Sequence, residues 1–126
     1  MARILVVEDD SEILELMTSL LETAGHHVSY ARNGNEGLSL YQVDEVDLVI
    51  TDIMMPEKDG VETIRELKRR NDAVKIIAIT GYRGRFNRLP AAEFLGAQET
   101  ILKPFTKADL LYTVDKLLSI NPRPSV

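Results

Sequence analysis

Three acids in a row, Glu8, Asp9 and Asp10, follow directly on the apolar run Ile4-Leu5-Val6-Val7. Carboxylates this close repel one another, which raises their pKa values and costs stability unless a positive charge sits among them. A fourth acid, Asp52, ends the stretch "DLVIT"; Thr80 ends "KIIAI"; Lys103 follows "TIL". Singly, each has an ordinary explanation as a helix cap, a strand end or a loop lysine. At four strand ends of one fold they form a convergent set of carboxylates, a hydroxyl and an ammonium. Hard oxygen ligands without histidine or cysteine suit Mg²⁺, which accepts one or two carboxylates plus a phosphate and keeps several waters. Such a cation would make the acids tolerable. Asp52 is then a candidate carboxylate nucleophile, able to form an aspartyl phosphate. Lys103 would meet the incoming phosphoryl oxygens as a point charge, and Thr80 would donate its hydroxyl to them. Metal and lysine stabilising the transferring group supply most of what phosphoryl transfer asks of a protein.

The elements that must hold these groups read clearly from the pattern. Strand-like runs cover Arg3–Val7, His27–Ala31, Asp47–Thr51, Lys75–Thr80 and Glu99–Leu102. A first helix over Ser11–Ala24 carries Ile13, Leu16, Met17, Leu20 and Leu21 at helical spacing, with Glu12 and Glu15 near its positive end and Gly25 as its stop. A second opens at Asn33-Gly-Asn-Glu36, resembling a capping box, and runs through Leu38 and Tyr41. A third starts at Asp59, turns Val61, Ile64 and Leu67 inward, and ends in Lys68-Arg69-Arg70, cations expected at a helix C-terminus. The last starts at Thr106-Lys-Ala-Asp109 and buries Leu110, Val114, Leu117 and Leu118. Strands alternating with helices predict an α/β, doubly wound five-stranded parallel sheet with helices on both faces. Ligands of such sheets bind beyond the carboxyl ends of the strands, where the acids, Thr80 and Lys103 fall.

Composition narrows the chemistry. The 126 residues suit one domain, expected over residues 1–120, with 121–126 a short tail and no output domain. Absence of cysteine excludes disulfides and thiolate sites. His26 and His27 alone cannot form a multi-histidine metal site and read as solvated. No apolar stretch approaches the ~20 residues of a membrane span and no signal peptide is evident, which predicts a cytoplasmic protein without membrane contact. A net charge of −5 argues against direct DNA binding.

In order and spacing, "ILVVEDDSEI", "DLVITDIMMPEKDG", "IIAITG" and "ILKPF" resemble the receiver domain of bacterial two-component response regulators, of the single-domain, chemotaxis-regulator-like kind. The resemblance runs from Arg3 to about Ser119. It implies a flavodoxin-like sheet of order 2-1-3-4-5 and a phosphoprotein of phosphorelay signalling. Glu8 and Asp9 match the acidic pair, Asp9 binding Mg²⁺ directly, while Asp10 matches a variable position. Asp52 matches the phosphoacceptor, and also borders the metal. Met54 matches the residue giving its backbone carbonyl to the metal. Thr80 matches the switch hydroxyl and Lys103 the phosphate-binding lysine; Pro56 and Gly60 match the loop after the acceptor. The Lys103-Pro104 bond is implied to be cis. A sensor histidine kinase or phosphotransfer protein is implied as phosphodonor, with an unknown downstream protein as target. The only catalysis expected is of the protein's own phosphorylation and dephosphorylation.

The sequence departs from the family at three points. Thr100 stands where many receivers carry the aromatic that moves with the switch hydroxyl. Pro90 predicts a short helix from about Leu89 to Gly96, since proline is comfortable only in a first turn. Arg83, Arg85 and Arg88 make the preceding loop basic, and with Phe86 they mark residues 81–89 as the expected readout of phosphorylation. Two other classes fit less well. A haloacid-dehalogenase-like phosphatase would need an acid two residues after Asp52, where Met54 stands. A flavodoxin-like cofactor module would not place three carboxylates where a phosphate must sit. A degenerate receiver that only binds partners is disfavoured by the intact Glu8, Asp9, Asp52, Thr80 and Lys103 set.

Overall fold

A computed structural model describes residues 2–42, 45–53, 60–81 and 96–119, with Thr80 and Gly81 described in the backbone only. Met54, Pro56, Asp59, the arginine loop, Phe86, Pro90 and the short helix expected from Leu89 lie outside the described residues, as does the tail beyond Ser119. Five strands are seen: β1 (Arg3–Val7), β2 (His27–Ala31), β3 (Leu48–Asp52), β4 (Ile76–Gly81) and β5 (Glu99–Lys103). The described helices are α1 (Ser11–Thr23), α2 (Gly34–Leu40), α3 (Gly60–Arg70) and α4 (Lys107–Ser119). All strand pairs are parallel, in the order β2-β1-β3-β4-β5. The last three strands each extend one residue past their expected ends, so Asp52, Gly81 and Lys103 are strand residues.

Alternation along the strands divides the core in two. Leu5, Val7, Val49, Ile76 and Ala78 pack with Leu38, Ile64 and Leu67 from α2 and α3. Ile4, Val6, Leu48, Ile50, Ile77, Ile79 and Ile101 pack with Leu14, Met17 and Leu21 of α1 and Leu110, Val114 and Leu117 of α4. A strand covered on both sides is mostly apolar, and β3 is buried at every position, with its two polar residues, Thr51 and Asp52, at the carboxyl end.

Local chemistry sets the helix ends. Asp10 caps α1, its Oδ1 accepting from the N–H groups of Glu12 at 2.9 Å and Ile13 at 3.3 Å. Gly25 leaves the helix with φ of 99°, a conformation that favours glycine. Asn33 Oδ1 accepts from Glu36 N–H at the start of α2. Thr106 and Asp109 cap α4 reciprocally, each side chain accepting from the other residue's N–H at 3.0 and 3.1 Å.

Three side-chain assignments change. Leu14, not Leu16, lies on the buried stripe of α1; Leu16, about 200° round the helix from Leu14, is half exposed. Tyr41 follows α2 with extended backbone, buried, its hydroxyl accepting from Asn71 Nδ2. Leu118 is only partly buried against the core. The basic end of α3 is spent locally: Arg69 and Arg70 pair with Glu66, Arg70 also donates to the Leu38 carbonyl, and Lys68 donates to the carbonyls of Asp72 and Val74.

Gly60 opens α3 directly against the end of β3. A Cβ there would lie 2.1 Å from the Asp52 carbonyl oxygen and 2.5 Å from Ile53 Cα, both backbone atoms that cannot swing aside. Gly60→Ala is therefore expected to destabilise the protein by about 1–3 kcal/mol, the usual range for overpacking. Urea denaturation measures it; a midpoint equal to that of the unchanged protein would show that α3 can retreat freely.

Candidate functional site

The carboxyl ends of β1, β3 and β5 bring together residues 8, 9, 52 and 103. β1 and β3 are neighbours, which sets Glu8 and Asp9 beside Asp52. Lys103 ends β5, and its Nζ lies 2.8 Å from Asp52 Oδ2 and 2.8 Å from Glu8 Oε1. The peptide bond that follows, Lys103-Pro104, is cis. Thr80 stands on β4 opposite Leu102, so its backbone reaches the same edge. Thr100 sits mid-strand on β5, paired with Ala78.

Glu8 is fully buried and Asp52 nearly so, at 0% and 4% exposure, whereas Asp9 is exposed. Asp10 N–H donates to Glu8 Oε2 at 3.0 Å. Glu8 Oε1, despite its short ion-pair distance to Lys103, lacks the angle of a hydrogen bond and is buried without such a partner. Burial pushes the Glu8 carboxyl up to about 7; the Asp52 charge adds to the rise, while Lys103 and the Asp10 N–H oppose it. For Lys103 burial acts downward, but the hydrogen bond to Asp52 and the nearby negative charge of Glu8 overcome it and leave its ammonium above the usual lysine value.

Oxygen atoms of Glu8, Asp9 and Asp52 lie within 4.8 Å of one another, a spacing that can hold a cation. Their chemistry fits Mg²⁺: three carboxylates, no nitrogen or sulfur donor, two of the three held in fixed positions by burial, and one buried oxygen without a hydrogen bond. Three carboxylates against one ammonium also leave the site with excess negative charge. Asp10 points to another task, the cap of α1. The opening acidic triplet thus divides into a buried member, an exposed member and a helix cap.

The Lys103–Glu8 pair is the feature that sequence reading missed. Residue types assign Lys103 to an incoming phosphoryl group, but nothing in a separation of 95 positions marks it as counter-ion to Glu8 in the resting protein. Only the adjacency of strand ends does so.

The raised Glu8 pKa has a definite sign in stability. Between its unfolded value of 4.5 and its folded value of about 7, the folded state holds the extra proton. Stability from this group is therefore present below 4.5 and lost as pH rises through 7. The metal-free protein is expected to lose on the order of 2 kcal/mol from pH 5 to 8 through Glu8, and Glu8→Gln to flatten that dependence. Urea titrations at the two pH values decide it; an equally steep slope in Glu8→Gln would locate the effect elsewhere.

Comparison with known proteins identifies the family. The family model described as "Response regulator receiver domain" matches residues 4–115. Transcriptional regulatory protein CpxR of Klebsiella pneumoniae is 36% identical over 118 residues, covering 94% of this chain and 50% of that protein. A probable transcriptional regulator, ycf27 of Cyanophora paradoxa, is 32% identical over 98% of this chain and 51% of its own length. The chain thus spans about half the length of the curated relatives it matches. Among solved structures, a response regulator receiver domain protein from Clostridium thermocellum superposes with a TM-score of 0.88 at 34% identity, covering 94% of this chain and 95% of the other. A CheY-like receiver domain protein from Methanospirillum hungatei gives 0.84 at 31% identity, covering 94% of both. On sequence and fold alike, the chain belongs to the response regulator receiver domain family.

Proposed function

We propose that this chain accepts a phosphoryl group on Asp52 in a Mg²⁺-dependent reaction and signals through phosphorylation-dependent protein contacts. The observation that carries this reading is the Lys103 ammonium, 2.8 Å from Asp52 at the mouth of an acidic cluster on the ligand-binding edge of the sheet. Glu8, Asp9 and Asp52, with the backbone carbonyl of Met54, would hold the metal. Bound Mg²⁺ would supply charge neutralisation for the entering phosphoryl oxygens.

The chain's own groups have distinct tasks in the proposal. An Asp52 carboxylate oxygen attacks the phosphorus of the donor, forming the acyl-phosphate bond as the donor's phosphorus–nitrogen or phosphorus–oxygen bond breaks. Lys103 moves its hydrogen bond from the Asp52 oxygen to a phosphoryl oxygen, and Thr80 donates its hydroxyl to another. Burial holds the Glu8 carboxyl near 7 even with Lys103 beside it, so further positive charge would favour its ionised form and couple the cation to the site. The donor is a sensor histidine kinase or a phosphotransfer protein. The protein catalyses its own phosphorylation and dephosphorylation and turns over no separate substrate. It works in the cytoplasm through a protein target, and its acidic charge disfavours direct contact with DNA. Among the described residues, no helix is long and apolar enough to cross a membrane.

Intact-mass spectrometry after incubation with a small acyl phosphate tests the central step. The expected result is gain of one phosphoryl group with Mg²⁺, none with a chelator, and loss of the adduct to hydroxylamine, which cleaves acyl phosphates. No adduct with Mg²⁺, or an adduct resistant to hydroxylamine, would overturn the reading.

A further inference from the structure

β2 stands at one edge of the sheet, and among the described residues no strand pairs with its outer side. The hydrogen bonds to β1 show which of its backbone groups face outward. His27 N–H donates to the Ala2 carbonyl, and the Ala31 carbonyl accepts from Glu8 N–H. In a parallel ladder alternate residues bond to the same neighbour. His27, Ser29 and Ala31 therefore face β1, and the N–H and C=O groups of Val28 and Tyr30 point away from it.

That arrangement is self-complementary. If a second β2 lies antiparallel with Ser29 opposite Ser29, Val28 falls opposite Tyr30 and Tyr30 opposite Val28. Both are then hydrogen-bonded pairs, using the outward groups of both strands, and Ser29 becomes the non-bonded pair at the centre. Any shift by one residue would oppose outward groups to inward ones.

Side chains support the same register. Val28 packs against the α1 side of the core, and Tyr30, two residues on, lies on that face with 54% exposure. Directly opposed residues share a face, so each Tyr30 ring would cover the other copy's Val28. Beside the strand, a cavity of about 460 Å³ runs along α1, lined by Leu14, Thr18, Glu22, Tyr30 and Arg32 among others. Thr18 Oγ1, in that lining, is buried without a hydrogen-bond partner. Charge completes the match. Arg32 follows the C-terminal end of β2, where it donates to Ser11 Oγ. Glu22 lies at the opposite end, since it also lines a second cavity beside His26 and His27. Antiparallel pairing brings Arg32 of each copy to the end that carries Glu22 in the other.

We infer that the outer edge of β2 pairs with β2 of a second copy of this chain, antiparallel about a two-fold axis at Ser29, joining two sheets into one. The interface is isologous and closes at two copies, because each subunit uses the same edge. The two-fold axis runs through the sheet, so the acidic sites of the two copies lie at opposite edges of the joined sheet, both open to a phosphodonor.

Sedimentation equilibrium and cross-linking test this on the whole chain. The wild-type chain has no cysteine. Ser29→Cys would place two thiols on an antiparallel non-bonded pair, where Cα atoms stand about 4.5 Å apart, within disulfide reach. Under mild oxidation it is expected to form covalent dimer at least tenfold faster than Tyr112→Cys, a control at the exposed α4 position. Tyr30→Pro removes an outward N–H and the exposed ring while leaving the ladder to β1 untouched, which an edge strand tolerates. It should keep its circular dichroism spectrum and weaken the dimer at least tenfold. Arg32→Glu should weaken it as well, and Arg32→Glu combined with Glu22→Arg should restore it. A wild-type mass that stays monomeric up to millimolar concentration would overturn the proposal. So would Ser29→Cys cross-linking no faster than the control, or a dimer indifferent to Tyr30→Pro and to the charge exchange.

Discussion

Lys103→Met is expected to lower the stability of the metal-free protein by about 3 kcal/mol at pH 8, the low end of the cost of breaking a buried ion pair. The methionine fills most of the volume, so the loss reports charge. Without the ammonium, Glu8 and Asp52 face each other across a buried gap, and Glu8 Oε1 has no cation within reach. The cost stays at the low end because Glu8, already raised to about 7, escapes by taking a proton. For the same reason the loss should shrink toward pH 5. Mg²⁺ should bind more tightly to the variant, since its competitor for the carboxylates has gone, and should restore part of the stability by mass action. Phosphorylation should nevertheless slow by about 10²-fold, the scale for removing one donor to a developing charge. Slower phosphorylation with tighter Mg²⁺ binding is a combination that general damage to the fold cannot produce. A variant as stable as the unchanged protein at pH 8 without metal would mean that the pair carries no net energy.

Asp52→Asn is expected to abolish phosphoryl uptake from a small acyl phosphate with Mg²⁺ while leaving the fold intact. The substitution is nearly isosteric at a position with 4% exposure, so the packing of β3 against β1 and β4 has no reason to change. Stability without metal should be equal or slightly higher, because one of three crowded carboxylates becomes neutral. Lys103 keeps Glu8 as its partner. Intact-mass spectrometry reads the result directly. A hydroxylamine-sensitive adduct persisting on Asp52→Asn would move the acceptor to a neighbouring acid, Asp9 being the nearest exposed carboxylate of the cluster.

Much of this protein is written in local sequence because its elements obey local rules. Asp10, Asn33 and the Thr106/Asp109 pair cap helices through bonds spanning two or three residues, and β3 opens with the apolar run Leu48-Val49-Ile50 because both of its faces are covered. The alternation of five strands with helices specifies a parallel sheet with right-handed crossovers, and the chemistry at its edge follows from which residues end the strands. Glu8, Asp9, Asp52 and Lys103 were legible as a set on that ground alone. Where two faces of a helix compete, the local pattern was less decisive: Leu14 and Leu16 are equally apolar, and only the angle at which α1 lies on the sheet buries one and exposes the other. The strand order, the union of Lys103 with Glu8, and the closeness of Gly60 to the Asp52 backbone were decided only by tertiary structure. The first two depend on which strand ends become neighbours, across dozens of residues that leave no periodicity in the chain, and the third on where α3 comes to rest against β3. The raised Glu8 pKa belongs with them, since burial is a property of the assembled sheet and not of the triplet Glu8-Asp9-Asp10.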